Sequence, residues 1–268
     1  MEIKLFNGRS ASIPVDHRAL AFGDGIFETC LCIGSRIVLL TEHLVRMQHG
    51  AQVLHLEWSE SDMAALHKTL LDLVSKCQAN QTYVLKIMLL RSCPGRGYDY
   101  DPNAQQVDTV IQLKPYQAAA WQQSGATVLV GSPISENPVL AGVKHLNRLD
   151  SVLAKARIRA ESAHEMLMVD QNKRVIEGTM SNLFVRRDGN WTTPPLKSAG
   201  VAGIIRQAIL RWFPQITEQD LFTSELEAVQ SAFLCNSLLG MVPINSLNHA
   251  VLDCDPMFEQ IRQKLAVL

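Results

Sequence analysis

No apolar run in the 268-residue chain approaches the length needed to cross a bilayer, and Met1-Glu-Ile-Lys-Leu-Phe-Asn-Gly8 contains no long apolar stretch of the secretory kind. This predicts a soluble, cytoplasmic protein. Net charge is almost absent: 25 Lys and Arg stand against 26 Asp and Glu, leaving −1. Such a balance offers no basic field for nucleic acid and no attraction to anionic lipid, so small molecules or proteins are the expected partners. The six cysteines, at 30, 32, 77, 93, 235 and 254, form no CxxC pair and no zinc-ligand spacing. Neither a disulfide framework nor a metal site is expected. Cys30 and Cys32 alternate along one strand, which predicts two packed thiols on one face. Internal repeats and low-complexity tracts are lacking as well.

What is present suffices for a large core: a chain of this length buries roughly three quarters of its unfolded surface and has room for two modest domains. Residues 1–117 read as a smaller α+β domain. Residues 3–6, the Asn7-Gly8 turn signal and residues 11–15 predict a hairpin; 26–33 and 36–40 predict two further strands. Thr41 is the expected N-cap of a helix that turns Leu44, Met47, Ala51 and Leu54 inward. Ser59 and Asp62 open a second helix with Met63, Leu66, Leu70 and Leu73 on one side. Strands follow at 83–91 and 109–114. The polar stretch 118–123 predicts a linker. Residues 124–268 read as a larger α/β domain, with strands at 126–130, 166–170, 175–178, 182–187, 191–193, 232–235 and 241–244. Asp188-Gly189 is a hairpin turn, and helices are expected after Lys144, up to about 213, at 224–228 and from Pro256.

Lys144 falls at the seam between a proline-bearing loop and a segment where Leu146, Leu149, Val152, Leu153 and Ala156 recur at helical spacing. That spacing predicts a helix packed by this face on a core, with Lys144 at or before its first turn. The helix dipole there disfavours an ammonium by ~0.3–1 kcal/mol. Such a place suits a lysine that works as an amine or an imine, although a solvated surface lysine is the plain alternative. Gly200-Val-Ala-Gly203-Ile-Ile-Arg206 opens a helix and offers N–H groups to a phosphate, or is simply a tight connection. Arg46 is a phosphate ligand or a snorkelling surface arginine. Glu177 is a carboxylate for a cationic ring nitrogen or part of a turn. Asn236 donates to a phosphate or a substrate carboxylate, or shapes a loop.

Taken in order, Gly23-Asp-Gly-Ile-Phe-Glu-Thr29, His43-Leu-Val-Arg46, Lys144-His-Leu-Asn-Arg-Leu149, Glu177-Gly-Thr-Met-Ser-Asn182 and Gly203-Ile-Ile-Arg206 resemble the fold-type IV pyridoxal-phosphate (PLP) enzymes over nearly the whole chain. That group includes branched-chain and D-amino acid aminotransferases and 4-amino-4-deoxychorismate lyases. The resemblance implies a two-domain α/β fold of the D-amino acid aminotransferase-like kind, PLP as cofactor, and a homodimer whose partner helps wall the site. It implies Lys144 as the lysine that joins the cofactor covalently and Glu177 as the carboxylate facing its pyridine nitrogen. Arg46, the Ile204 and Ile205 amides, and Asn236 fall where the family holds the phosphate. A carboxylate opposite the ring nitrogen favours the protonated ring, which draws electrons from a developing carbanion. Transaminases of the group commonly carry threonine where Ile205 and Asn236 stand. Asparagine can replace a hydroxyl donor; isoleucine cannot, so the grip at 205 must rest on backbone N–H.

Within the group, Gly95-Arg-Gly-Tyr98, Lys144 to Leu149, and Cys235-Asn-Ser-Leu-Leu-Gly-Met-Val-Pro243 resemble the aminodeoxychorismate lyases most. The Arg-x-His pair that D-amino acid transaminases use for the substrate carboxylate is absent from the 91–98 loop. This implies a carbon–oxygen lyase that eliminates pyruvate from 4-amino-4-deoxychorismate, leaving 4-aminobenzoate for folate synthesis. Arg91, Arg96 and Arg148 are the candidate cations for its dianionic substrate. A D- or branched-chain amino acid aminotransferase is the competing expectation, and a non-catalytic PLP-binding protein a remoter one.

Overall fold

The computed structural model describes the backbone of residues 2–6 and, in full, residues 13–267. It divides into two compact units. The first comprises Met1–Gln117 with Val143–Asn147, the second Ala118–Gly142 with Arg148–Leu268. No helix among the described residues is long and apolar enough to cross a membrane.

The first unit is a five-stranded sheet with helices. Its elements are β1 (Glu2–Phe6), α1 (Arg18–Phe22), β2 (Gly25–Ile33), β3 (Arg36–Ile37), α2 (Leu40–Val53), α3 (Glu60–Val74), β4 (Thr82–Ser92) and β5 (Gln106–Pro115). The strand order is β1-β5-β4-β2-β3. The expected N-terminal hairpin is not how β1 pairs: it runs parallel to β5, with Ile3 opposite Thr109, and so covers the free edge of a long strand. Asn7, Gly8 and Ala11, on which the hairpin also relied, lie outside the described residues. Strand β3 is shorter than expected because Leu40 already begins α2. Thr41 is not its cap; that place belongs to Leu39, at φ 54, with no capping side chain. Ser59 does cap α3, in a reciprocal box with Asp62. Along β2 the buried residues alternate, Ile26, Glu28, Cys30 and Cys32, and they meet the inward face of α2, including His43, Leu44 and Met47.

The segment carrying Lys144 belongs to this first unit. Phe27 N–H donates to the Lys144 carbonyl at 2.9 Å, Leu146 N–H donates to the Gly25 carbonyl at 3.0 Å, and Val143 is buried in the first core. Residues 143–146 are thus extended chain laid antiparallel on β2, not the entrance of a helix.

The second unit contains α4 (Trp121–Ser124), β6 (Ala126–Pro133), α5 (Leu149–Ala160), β7 (Glu165–Val169), β8 (Val175–Gly178), β9 (Asn182–Arg187), β10 (Asn190–Thr193), α6 (Ile204–Trp212), β11 (Thr217–Glu218), β12 (Ser231–Asn236), β13 (Gly240–Leu247), β14 (Ala250–Val251) and α7 (Pro256–Leu265). Its sheet runs β11-β10-β9-β12-β13-β6-β7-β8, with β14 on β13. Phe184 and Phe233 stack in its core with ring centres 4.8 Å apart. The helix expected at 224–228 is a 3-10 turn, Thr223–Ala228.

Helix α5 begins at Leu149, so Lys144 is not in its first turn, where the expected dipole argument would place it. Its buried side is also the reverse of the expected one. Ala154 and Ile158 pack with Leu129, Met166, Met168 and Ile176, while Leu149, Val152 and Leu153 are 74%, 59% and 65% exposed. Alanine at the contact lets the helix approach the sheet closely. Ile158→Ala is therefore expected to lower unfolding free energy by ~2–4 kcal/mol, and Leu153→Ala by less than about 0.5 kcal/mol. Denaturant titration of the two variants checks this; equal losses would contradict the orientation of α5.

Candidate functional site

Strand alternation sends Glu28 to the inner face of β2, where a carboxylate must find partners. It finds two on one face of α2. Arg46 Nε donates to Glu28 Oε1 at 2.7 Å, Arg46 Nη2 to Oε2 at 2.6 Å, and His43 Nδ1 lies 2.6 Å from Oε2. Glu28 and His43 are essentially inaccessible to solvent. Burial, the largest single influence, pushes the Glu28 carboxyl up; the Arg46 guanidinium and the hydrogen bonds from His43 and Arg46 together outweigh it and hold it at about 2, below the ordinary 4.5. Arg46 is thus no snorkelling surface arginine.

On the neighbouring position of β2, Phe27 presents its ring to Lys144, whose Nζ lies 4.3 Å from the ring centre. Lys144 is half-buried. Burial pushes the Cys32 and Cys235 thiols up to about 12, in keeping with packed rather than reactive cysteines.

Arg91 is only 4% exposed, and its donors serve the scaffold. They reach Asp24 at 2.9 Å, Gln105 at 2.7 Å, and the carbonyls of His55 and Leu54. Its expected role as a substrate cation is corrected on this ground. Arg18 shares Asp24 and clamps the loop beyond Arg91, donating to the carbonyls of Gly97 and Asp99 at 3.0 Å and Tyr98 at 3.1 Å. Arg96, in that loop, is exposed. Arg148, in the second unit, is half-buried just before α5.

In the second unit Glu177 ends β8, and its Oε2 accepts the Val201 N–H at 2.9 Å and Asn182 Nδ2 at 3.2 Å. Asn182 also donates to the Val201 carbonyl. Val201 is held in turn by the glycine loop: Gly142 N–H donates to Gly200 O, and Ala202 N–H to Gly142 O. Gly203 caps α6 without any side-chain hydrogen bond, and a Cβ there would overlap Asn182 Oδ1. The side chains of Ile204 and Ile205 are buried. Asn236 is largely committed locally: Nδ2 donates to Met180 O at 2.9 Å, and Oδ1 accepts the N–H groups of Leu238 and Leu239. The turn after Glu177 is anchored from below by fully buried Glu165, which accepts from the hydroxyl and N–H of Thr179 and from Ser181 Oγ.

Glu28, His43, Asn182 and Glu165 received no role from the sequence. Glu28 was detectable as an acid at the inward phase of an apolar alternation, and Glu165 as an acid heading a strand buried throughout.

The Amino-transferase class IV model matches residues 25–247. The chain belongs to the class IV aminotransferase family. Its fold is the fold-type IV arrangement the motifs imply, a mixed α/β chain with two sheets, and the family is PLP-dependent. The aminodeoxychorismate lyase of Vibrio harveyi is 30% identical over 243 residues, 88% of each chain. The structure of 4-amino-4-deoxychorismate lyase from Pseudomonas aeruginosa superposes with a TM-score of 0.84 at 33% identity, covering 97% of both chains. The branched-chain-amino-acid aminotransferase of Escherichia coli K12 is 25% identical, covering 96% of this chain and 90% of its own.

Two outcomes test the geometry of these residues. Because the Glu28 carboxyl is held below its ordinary 4.5, its contribution to stability is fully present above that value and is lost as pH falls toward 2. Glu28→Gln should thus be less stable than wild type at neutral pH and lose less on acidification to about pH 3; parallel pH profiles from denaturant titration would remove the linkage. Gly203→Ala should displace Asn182 and lower stability by ~1–3 kcal/mol. A wild-type melting curve for that variant would show that the overlap is relieved at no cost.

Proposed function

We propose that the chain is a PLP-dependent aminodeoxychorismate lyase, splitting 4-amino-4-deoxychorismate into 4-aminobenzoate and pyruvate. The carrying observation is the near-full-length likeness to two such lyases, at 30% and 33% identity. The donor set fits the cofactor. It includes a primary amine, a guanidinium fixed by a carboxylate, a second carboxylate that accepts a backbone N–H, and a helix start whose cap is glycine. A glycine cap leaves the approach to the first-turn N–H groups open to an anion.

In this reading Lys144 would bond the cofactor and Glu177 would hold its ring nitrogen. Arg46, the Ile204 and Ile205 amides, and the Asn236 amide would hold its phosphate. Arg96 and Arg148 are the cations for the substrate. When bound, the cofactor supplies an electron sink for the carbon next to the substrate nitrogen. Lys144 Nζ, as a free amine, would take the proton from that carbon, a general-base contribution of roughly 10²–10⁴-fold. Glu177 keeps negative charge opposite the ring nitrogen and so favours its protonated form. The bond from the neighbouring carbon to the enolpyruvyl oxygen then breaks, the substrate ring becomes aromatic, and a proton delivered to the enol carbon gives pyruvate. Homodimeric assembly, a cytoplasmic place and a part in folate synthesis belong to the same proposal.

A second reading, an aminotransferase for branched-chain or D-amino acids, draws on the Escherichia coli likeness. Mixing the protein with PLP and 4-amino-4-deoxychorismate should release 4-aminobenzoate and pyruvate in equal amounts, and Lys144→Ala should release neither. Amino-group exchange with 2-oxo acids and no 4-aminobenzoate would replace the lyase by the aminotransferase; wild-type rates in Lys144→Ala would remove the role of the lysine.

A further inference from the structure

We propose that Glu28 is a positioning residue of the phosphate grip, holding the Arg46 guanidinium in the plane from which it meets the cofactor's phosphate. The inference rests on the reading of Arg46 as a phosphate ligand. Packing alone does not account for Glu28. The positions that share its face of β2 are Ile26, Cys30 and Cys32, and a carboxylate taken out of water among them is unfavourable unless its partners are well placed. They are. Arg46 engages both carboxylate oxygens by parallel bonds of 2.7 and 2.6 Å, the fork geometry that fixes a guanidinium in orientation as well as position. His43, one turn earlier on α2, closes on Oε2 at 2.6 Å and leaves the carboxylate no other seat. Glu28 is fixed to β2 by its backbone, paired with Leu89 and Leu90's strand through the Glu28–Ile87 register. The side chain of Arg46, a long one with many rotamers, is thereby tied to the sheet.

Charge and position make opposite predictions here, which gives the test its sign. If Glu28 acted on Arg46 only through charge, it would offset the guanidinium, and neutralising it would tighten phosphate binding. If it acts by position, Glu28→Gln places an amide N–H against a donor of Arg46 or His43, unseats the guanidinium and weakens phosphate binding.

The experiment measures binding of PLP and of pyridoxal, which lacks the phosphate, to the full chain freed of cofactor, by the absorbance of the bound aldehyde. Arg46→Met should lose preference for PLP over pyridoxal. Glu28→Gln should weaken PLP binding about tenfold, the worth of one charge-assisted hydrogen bond, and leave pyridoxal binding unchanged. In the Arg46→Met background Glu28→Gln should add nothing to the loss of preference, as for two residues acting through one contact. An unchanged or tighter PLP affinity in Glu28→Gln overturns the positioning role. A full preference for PLP in Arg46→Met overturns the phosphate reading of Arg46 itself, so the two failures are distinct. Should Glu28→Gln not fold, Glu28→Asp retains the charge and withdraws the carboxylate by one methylene; an intermediate loss of preference is expected, and the wild-type preference in that variant overturns the proposal.

Discussion

The hydrogen bonds from Phe27 N–H to Lys144 O and from Leu146 N–H to Gly25 O seat the lysine on β2, and the rest of the first unit's chemistry follows from that strand. A lysine stem is long and flexible, so its amine is located only as well as the backbone beneath it and the surface beside it. Here the backbone is in register with a sheet strand and the surface is the Phe27 ring. Successive strand residues face opposite ways, so the same stretch that gives Phe27 to Lys144 gives Glu28 to His43 and Arg46. A slip of one residue would exchange those faces. The lysine's neighbour and the arginine's anchor are thus fixed by one register.

Three buried carboxylates show different ways of meeting the same penalty. Glu28 is matched by charge, in Arg46, and by the ring of His43. Glu165 is matched mostly by neutral donors from Thr179, Ser181 and the Met166 N–H, with Lys155 Nζ at 3.6 Å. Glu177 is braced at one oxygen by Val201 N–H and the Asn182 amide. A carboxylate paired bidentately with arginine has its charge largely offset and acts as an anchor. Glu28, held by both oxygens on Arg46, is of that kind.

Local signals were the legible ones. Strands β8 and β9 occupy 175–178 and 182–187 as their apolar runs predict, and Ser59 with Asp62 forms the reciprocal cap that their spacing announces. Pairings between distant segments were not legible, which is why β1 was expected beside its neighbour in sequence rather than parallel to β5. Helix α5 misled because its larger apolar residues make the more conspicuous stripe, whereas the contact with the sheet is made at Ala154 and Ile158. In the candidate site, the resemblance singled out Lys144 and Glu177, which composition alone left open. Arg91 was misread because a sequence shows an arginine's charge but not whether its five donors already have acceptors.

The isoleucine at 205, where a hydroxyl donor is common in relatives' motifs, is less of a departure than the residue type suggests. Ile204 and Ile205 bury their side chains under α6, while their N–H groups lie in its first turn, where intrahelical acceptors are missing. Side-chain identity there governs packing, and the N–H groups are present whatever the side chain. What the helix start favours is glycine at 203, because Asn182 Oδ1 occupies the place a Cβ would take and would have to move. The same asparagine braces Glu177 and holds the Val201 carbonyl. The seat of the carboxylate and the opening of α6 are therefore set by one side chain, and a change that moves Asn182 must disturb both.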